Sequence, residues 1–361
     1  MKRNSNPRAG RSKKRGATDQ PDLFAPRLET AVPADPPPSP AVETTPARPI
    51  GEWPTDHLID ALSLHLYAEP PDDPPLIATI AELAERHEPL AVPLLIRTCR
   101  RFAGFDSQQP APEVVAALEA LGRIGPASAA VPLIDLIGRG LFSPAATAAA
   151  LDCFAAIGCR PAAELIRPGL RHLDPRVRQS ACALAAALQR RDDIEAITPL
   201  LNDPDRGVSK SARLALGELG HAAAREPLEE LLDRATPIDI PRVARALAAV
   251  ADDDTPVKLA RAADRCDEEG RCAIVRALGA MEQATVVPQL IRLSRDGRPT
   301  VRLAVIEALA DREEDPKENA KSGSKLGRIA AALGAMTEDA DTTVREAAEA
   351  ALRAFDTSPD W

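Results

Sequence analysis

Arginines recur in small groups along the chain, and they are the side chains best suited to hold a charged ligand. A planar guanidinium donates paired hydrogen bonds to carboxylate or phosphate groups, so a row of them could bind an acidic partner. The alternative is that each cation stabilises the negative end of a helix dipole, by about 0.3–1 kcal/mol. Acids interrupt the row at Glu229, Glu230 and Asp233, which disfavours a continuous nucleic-acid track. The candidate arginines are Arg97, Arg100, Arg101, Arg139, Arg167, Arg171, Arg261, Arg265, Arg292 and Arg295.

A second set of arginines follows an apolar position at regular intervals and comprises Arg178, Arg271, Arg302 and Arg345. These side chains could form a row that binds anions. Stacked helices would instead place each arginine beside an aspartate at the start of a neighbouring helix, and we favour such ion pairs. The expected acidic partners are Asp174, Asp205, Asp267 and Asp341.

A short motif near the N-terminus, Gln20-Pro21-Asp22-Leu23-Phe24, could bind a protein. It is similar to the pentapeptide Gln-x-(Ser/Asp)-Leu-Phe that binds the bacterial sliding clamp. Leu23 and Phe24 would fill a hydrophobic pocket, and Gln20 would form hydrogen bonds at its edge. Pro21 departs from the motif, where an aliphatic residue is commoner. The motif favours a DNA-maintenance accessory, and the competing interpretation is a chance match.

The six cysteines do not have the spacing of a metal site. None belongs to a Cys-x-x-Cys pair, and the one Cys/His grouping, Cys153, Cys159 and Cys182 with His172, lacks the spacing of zinc ligands. Most lie in alanine-rich runs, so we expect buried thiols that act as small apolar residues. The sequence also contains no glycine-rich phosphate loop, nucleophile elbow or paired histidines. We therefore expect no metal, no cofactor and no enzymatic activity.

The elements that would position these residues recur every 31 residues. One apolar column at this period continues through the chain, and others lie at offsets that share one helix face. A further column is nearly all small, as close packing of helices requires. Only 2% of residues are aromatic and 45% are hydrophobic, which favours an all-α core of Ala, Leu, Ile and Val. The first column is Phe154, Ala185, Leu216, Leu247, Leu278 and Leu309, and the small column is Leu184, Ala215, Ala246, Ala277 and Ala308.

Helix starts are marked by a capping side chain before proline, as in Ser143-Pro144, Asp174-Pro175 and Asp203-Pro204. We expect about eight helix pairs, capped by a leading helix over 55–67 and a last helix over 342–355. A polar loop over 311–325 would be inserted before the last helix. The pairs are expected to begin near Leu76, Pro112, Pro144, Pro175, Arg206, Pro241, Glu268 and Pro299.

Residues 1–54 have the composition of a disordered tail, first basic and then rich in proline. Residues 1–50 contain nine Lys or Arg and five Asp or Glu, whereas the remaining chain contains 36 and 49. We expect that nucleic acid could bind only through the basic tail, because the body would repel polyanions. No run of eighteen apolar residues predicts a membrane span, and no signal peptide is recognisable, so the cytoplasm is the expected location.

The motifs of the repeats resemble a known family. Asp174-Pro175-Arg176-Val177-Arg178, the alanine and glycine pattern of 215–220 and the Ala-x-x-Pro-Leu of 196–200 are similar to HEAT repeats of the phycobilisome-lyase type. The resemblance covers roughly residues 75–355. It implies a right-handed α-α superhelix, a HEAT/armadillo-like solenoid over 55–361, in which the second helices usually line the concave face.

Three functional hypotheses follow. The first is a non-enzymatic scaffold or adaptor that binds a protein on the concave face. The second is a DNA-maintenance accessory tethered to the sliding clamp through Gln20, Leu23 and Phe24. The third is a lyase-like or chaperone-like helper of a modifying enzyme.

Overall fold

Paired α-helices build the described part of the chain, which in this computed structural model comprises residues 49–67, 74–106, 111–125, 127–312 and 327–357. These residues form eighteen α-helices and no strand, which confirms the predicted all-α superhelix. After α1, Thr55–His65, eight pairs follow, each with a first and a second helix. The first helices are α2 Leu76–Glu85, α4 Pro112–Ile124, α6 Pro144–Ala156, α8 Pro175–Ala187, α10 Arg206–Glu218, α12 Ile240–Ala248, α14 Glu268–Gly279 and α16 Pro299–Ala310, and α18, Thr342–Thr357, ends the stack.

The second helices are shorter and are often preceded by a turn of 3-10 helix. None of the helices that the structure describes is both long and apolar enough to cross a lipid bilayer. The second helices are α3 Val92–Asp106, α5 Ala130–Gly138, α7 Ile166–Leu170, α9 Ile194–Ile197, α11 Arg225–Arg234, α13 Thr255–Ala262, α15 Val286–Leu293 and α17 Arg328–Met336.

Capping side chains start several of the first helices, as the sequence predicts. Ser143 accepts a hydrogen bond from the Ala146 amide at 3.2 Å, and Asp174 accepts one from Arg176 at 2.8 Å. Each cap satisfies an amide that has no partner inside the helix and contributes about 1 kcal/mol. One expected cap was wrong, because Asp205 rather than Asp203 caps α10. The expected start near Pro241 is confirmed, since α12 begins at Ile240.

The repeating columns form the core. Leu216, Leu247, Leu278 and Leu309 are each fully buried. The small column lies where consecutive first helices touch: a Cβ added to Gly217 of α10 would lie 3.0 Å from the Cβ and the carbonyl oxygen of Ala246 in α12. First helices contact one another more extensively than second helices do, because alanine and glycine allow a close approach.

The folded part begins before residue 55, which corrects the boundary expected for the tail. Ile50–Glu52 form a 3-10 helix, and Trp53 packs against the core. Arg86 of the first repeat donates hydrogen bonds to the carbonyl oxygens of Trp53 at 2.9 Å and Gly51 at 3.0 Å. The expected insertion, 311–325, lies outside the described residues from 313 onward.

Candidate binding surface

The first helices, not the second, line the concave side of the stack. One pocket of about 560 Å³ is bordered by Ala155, Ala183, Glu218 and Arg245, which belong to α6, α8, α10 and α12 in turn. Four consecutive helices can border one pocket only if their exposed sides converge. This corrects the expectation that second helices form the concave side. We call the surface that the first helices expose on this side the concave face.

Small side chains form the floor of the concave face. Exposed alanines recur at one position near the ends of the first helices, and three further grooves lie along the face. They occupy about 570 Å³ across α4, α6 and α8, 750 Å³ between α12 and α14 and 300 Å³ between α14 and α16. Because alanine projects little beyond the backbone, the concave face is recessed between the larger side chains on either side of the alanines. The exposed floor positions are Ala156, Ala187, Ala249 and Ala280.

The environment of the Asp152 side chain on α6 indicates that the concave face is deep. Its side chain is accessible to solvent, yet desolvation raises its pKa above the ordinary value, while a hydrogen bond from Ser180 and the charge of Arg242 oppose the shift. A group can touch water and still be desolvated when protein surrounds it at longer range. Arg242 lies on α12, three first helices away, so its influence also requires strong inward curvature.

Charge is unevenly distributed over the concave face. Two acids and two arginines, Glu119, Asp152, Arg123 and Arg176, line the groove across α4 to α8. Three arginines and one acid, Arg242, Arg245, Arg276 and Glu269, line the groove between α12 and α14. Arg245 is paired with Glu218 of α10 at 3.0 Å. Within the described residues, Arg242 and Arg276 form no ion pair within 4 Å.

The predicted arginine row lies on the second helices, outside the concave face. Several members join neighbouring repeats. Arg167 pairs with the buried Asp193 at 2.7 Å, Arg292 pairs with Asp264 at 2.8 Å, and Arg265 donates to the Leu232 carbonyl at 2.8 Å. These contacts give the arginines a structural role at the joints between repeats.

Other members of the row make local contacts or none. Arg97 lies over the Tyr67 ring at 5.9 Å, and Arg101 lies over the Phe102 ring at 5.5 Å. Arg139 pairs with Asp135 in its own helix turn at 3.5 Å, and both side chains are 63% exposed. In the described part of the chain, Arg171, Arg261 and Arg295 are exposed and have no ion pair. A partner-binding role for this row remains a prediction.

The second arginine set forms ion pairs, as favoured, but with different acids. Arg178 pairs with Asp203 at 2.9 Å, Arg271 pairs with Asp296 at 2.5 Å, and Arg302 pairs with Asp339 at 2.7 Å. Each aspartate lies in the loop just before the next first helix rather than at its N-cap. The guanidinium groups are occupied, which leaves no row of free cations for anions.

The Arg partner also changes the acidity of two of these aspartates. A hydrogen bond from Arg178 holds the pKa of Asp203 below its ordinary value. Arg302 lowers the pKa of Asp339 in the same way. Arg345 differs from the other three, because it donates to the Asp339 and Ala340 carbonyl oxygens. Arg178, Arg271 and Arg302 therefore join each repeat to the next loop, whereas Arg345 contacts the loop before its own helix.

All six cysteines are buried and reduced, which confirms the prediction of buried thiols. Burial raises the pKa of Cys153 and of Cys182 to about 12. A thiol with such a pKa is almost entirely protonated at neutral pH and is a poor nucleophile and metal ligand. Across the described ranges, no group of three His, Cys, Asp or Glu side chains could hold a metal ion. Gln20, Leu23 and Phe24 of the tail motif lie outside the described residues.

Comparisons with known proteins found similar chains among solved structures. Among solved structures, the chain is similar to human deoxyhypusine hydroxylase in complex with glycerol, with 20% identity, coverage of 84% of this chain and 98% of that chain, and a TM-score of 0.30. An engineered protein shares 18% identity over 86% and 93%, with a TM-score of 0.45. A chain of the Pds5–Scc1 complex shares 14% identity over 84% and 58%, with a TM-score of 0.35. No curated protein sequence matches the chain.

A family model supplies the classification. The model described as HEAT repeats matches residues 163–249 and 255–353. It covers HEAT repeats as a whole, so the phycobilisome-lyase type remains a prediction. Because the two matches together span more than half of the 361 residues, the chain belongs to the HEAT-repeat family.

Proposed function

We propose that this chain is a non-enzymatic scaffold that binds a protein partner on the concave face of its first helices. The observation that carries the proposal is the recessed floor of exposed alanines at the ends of α6, α8, α12 and α14, which Glu218 interrupts on α10. Solenoids create extended concave surfaces that suit large partners, and an exposed apolar surface rimmed by charges is typical of a protein-interaction site. A helper of a modifying enzyme would use the same surface and differ only in its partner.

The arrangement of side chains supports binding rather than catalysis. The grooves hold carboxylates and guanidinium groups above alanine, and the Ser180 hydroxyl beside Asp152 is hydrogen-bonded to that carboxylate. Its thiol, Cys153, is buried and has a pKa raised to about 12. An alanine floor offers shape and apolar area, and the charges on its rims select the orientation of a partner.

Blocking the floor tests the proposal directly. The variant Ala187→Trp/Ala249→Trp places bulky side chains at two exposed floor positions, the last residue of α8 and the residue that follows α12. The matched control is Ala223→Trp, an exposed alanine that precedes the second helix α11. Full-length wild type and both variants would be used to capture partners from a lysate of the source organism, and circular dichroism would verify folding.

Loss of the captured proteins with the floor variant and their retention with the control is the expected result. Unchanged capture by the floor variant, with loss in the control, would place binding on the second helices and would reject the concave-face proposal. That outcome would favour the predicted row that includes Arg97 and Arg261.

A second candidate function rests on the tail motif alone. We propose that Gln20, Leu23 and Phe24 could tether the chain to a sliding clamp, because the two apolar side chains would fill a pocket and Gln20 would bind its edge. A peptide covering residues 17–27 would be titrated against the clamp. Binding should disappear with Leu23→Ala/Phe24→Ala, and equal binding by that peptide would reject the tether.

A further inference from the structure

The groove between α12 and α14 differs from the other grooves of the concave face. It is the largest of the four grooves described above, at about 750 Å³, and one edge carries Ile238, which is 88% exposed. Ala249, Ala273 and Ala280 line its floor. The exposed Ile238 and the recessed alanine floor together form an apolar surface that an apolar side chain of a partner can cover.

Three arginines line the same groove. Arg242, Arg245 and Arg276 outnumber the single acid among its lining residues, Glu269. This excess of positive charge occurs on a body in which acids outnumber bases by 49 to 36 after residue 50. Arg245 has a partner in Glu218, whereas in the described chain Arg242 and Arg276 have no ion pair. Neither guanidinium group is held in a close ion pair, although the charge of Arg242 acts on Asp152 and Asp239, so both can form hydrogen bonds to carboxylates of a partner.

We propose that this groove binds an acidic peptide segment of a protein partner. An apolar side chain of the segment packs against Ile238 and the alanine floor, and its carboxylates accept hydrogen bonds from Arg242 and Arg276. The inference rests on the proposed scaffold function and assigns the chemistry of the partner to one part of the concave face. Arginine binds carboxylates through paired, charge-assisted hydrogen bonds, which fix the orientation of a segment as well as its position.

The surroundings of the groove favour a short acidic peptide over nucleic acid. Glu307 and Asp311 line the next groove, between α14 and α16. On the opposite side, Glu218 borders the pocket that extends towards α6. The basic surface thus ends after one pair of first helices, and its acidic flanks would repel a continuous phosphate backbone.

The proposal is tested with a fluorescein-labelled peptide in which two leucines are flanked by glutamates. A second peptide, with lysines in place of the glutamates, controls for apolar binding, and a single-stranded oligonucleotide controls for polyanions. Fluorescence anisotropy would be measured with full-length wild type, with Arg242→Glu/Arg276→Glu, and with Arg261→Glu/Arg295→Glu. The last variant makes the same change of charge at exposed arginines outside the concave face.

We expect saturable binding of the glutamate peptide to wild type. The groove variant should weaken it by about a hundredfold, because each charged hydrogen bond to a partly desolvated carboxylate contributes on the order of tenfold. The matched control should change affinity by less than about threefold, as expected for distant, screened charges. A photoreactive leucine in the peptide should crosslink to α12 or α14.

Four results would overturn the proposal: no saturable binding, equal loss in both variants, equal binding of the lysine peptide, or tighter binding of the oligonucleotide. Crosslinks confined to second helices would also reject it. These failures are distinct from failure of the scaffold proposal. If the floor variant Ala187→Trp/Ala249→Trp loses the captured partner while Arg242→Glu/Arg276→Glu retains it, the concave face binds a protein and the acidic-peptide assignment is wrong.

Discussion

The ion pair between Arg302 and Asp339 joins α16 to the loop before α18. The two residues are 37 positions apart, whereas the equivalent pairs of Arg178 and Arg271 are separated by 25. Arg302 donates to both carboxylate oxygens of Asp339, at 2.8 Å and 2.7 Å, and to the Asp296 carbonyl at 2.8 Å. We expect removal of this pair to loosen α17 and α18 from α16.

The magnitude follows from the exposure of the pair. The Arg302 and Asp339 side chains are only 12% and 14% exposed. Exposed ion pairs contribute about 0.2–1 kcal/mol, and removal of one partner of a fully buried pair costs about 3–5 kcal/mol. This pair is mostly shielded and bidentate, so we expect a coupling free energy of about 2 kcal/mol between these limits. The pair of Arg139 and Asp135, 63% exposed on both sides, should couple by less than about 0.5 kcal/mol.

A double-mutant cycle measures the coupling. The variants are Arg302→Ala, Asp339→Ala and their combination, with the same cycle at Arg139 and Asp135 as the control. Repeat arrays need not unfold as one unit, so hydrogen exchange of peptides from α18 would accompany urea unfolding. A coupling no larger than that of the control, or unchanged exchange in α18, would refute the assigned role.

Acid should remove the contribution of this pair. Arg302 holds the pKa of Asp339 below its ordinary value, so the unfolded chain binds the proton more readily than the folded chain. The stabilisation is therefore present above the unfolded pKa of about 3.9 and is lost as pH falls through the lower folded value. The difference in unfolding free energy between wild type and Asp339→Asn should shrink below about pH 4. A difference that persists at lower pH would contradict the assigned cause.

Leu247→Asp should unfold the central repeats, with a loss above about 4 kcal/mol, because Leu247 is fully buried and a buried unpaired charge is costly. Leu173→Asp, at a 95% exposed position, should change the urea midpoint little, and equal effects would contradict the assigned register. Cys153 and Cys182, with pKa values raised to about 12, should not react with a thiol reagent at pH 8 until urea unfolds the chain; rapid labelling of the native protein would show otherwise. Deletion of residues 2–48 should leave the melting temperature nearly unchanged, and a drop of several degrees would show that this segment packs on the helices.

Much of the fold can be predicted from local rules. Proline has a fixed φ and no amide hydrogen, so Pro144, Pro175 and Pro299 mark first helical residues. The period of 31 identifies the buried side of each helix, and Leu247 is buried as that register requires. Asp203 shows the limit of these rules. Its sequence context suits an N-cap, but it instead pairs with Arg178 of the preceding repeat, a contact that depends on how repeats stack.

The concave side could not be read from periodicity. A helical pattern shows which side of each helix is buried, but curvature depends on which of two layers packs more closely. A usable signal was present in the alanines at exposed positions of the first helices, such as Ala156, Ala187 and Ala249. An exposed alanine does not change the apolar pattern, so that pattern does not reveal the concave side. Arg242 and Arg276 could not be identified from the sequence either, because only the curvature of the stack brings them together.

The close contact of the first helices has a mechanical consequence. In a bent strip, the tightly packed edge lies near the neutral axis and changes length least, while the loosely packed edge stretches and shortens. Ala246 and Gly217 already approach to the limit that a Cβ would permit, so the first-helix edge resists compression. Elastic bending of the solenoid should therefore be taken up by the spacing of the second helices. The floor of the concave face would keep its dimensions as the repeats flex. A partner would then bind to a stiff surface, while the second helices behind that surface take up the bending.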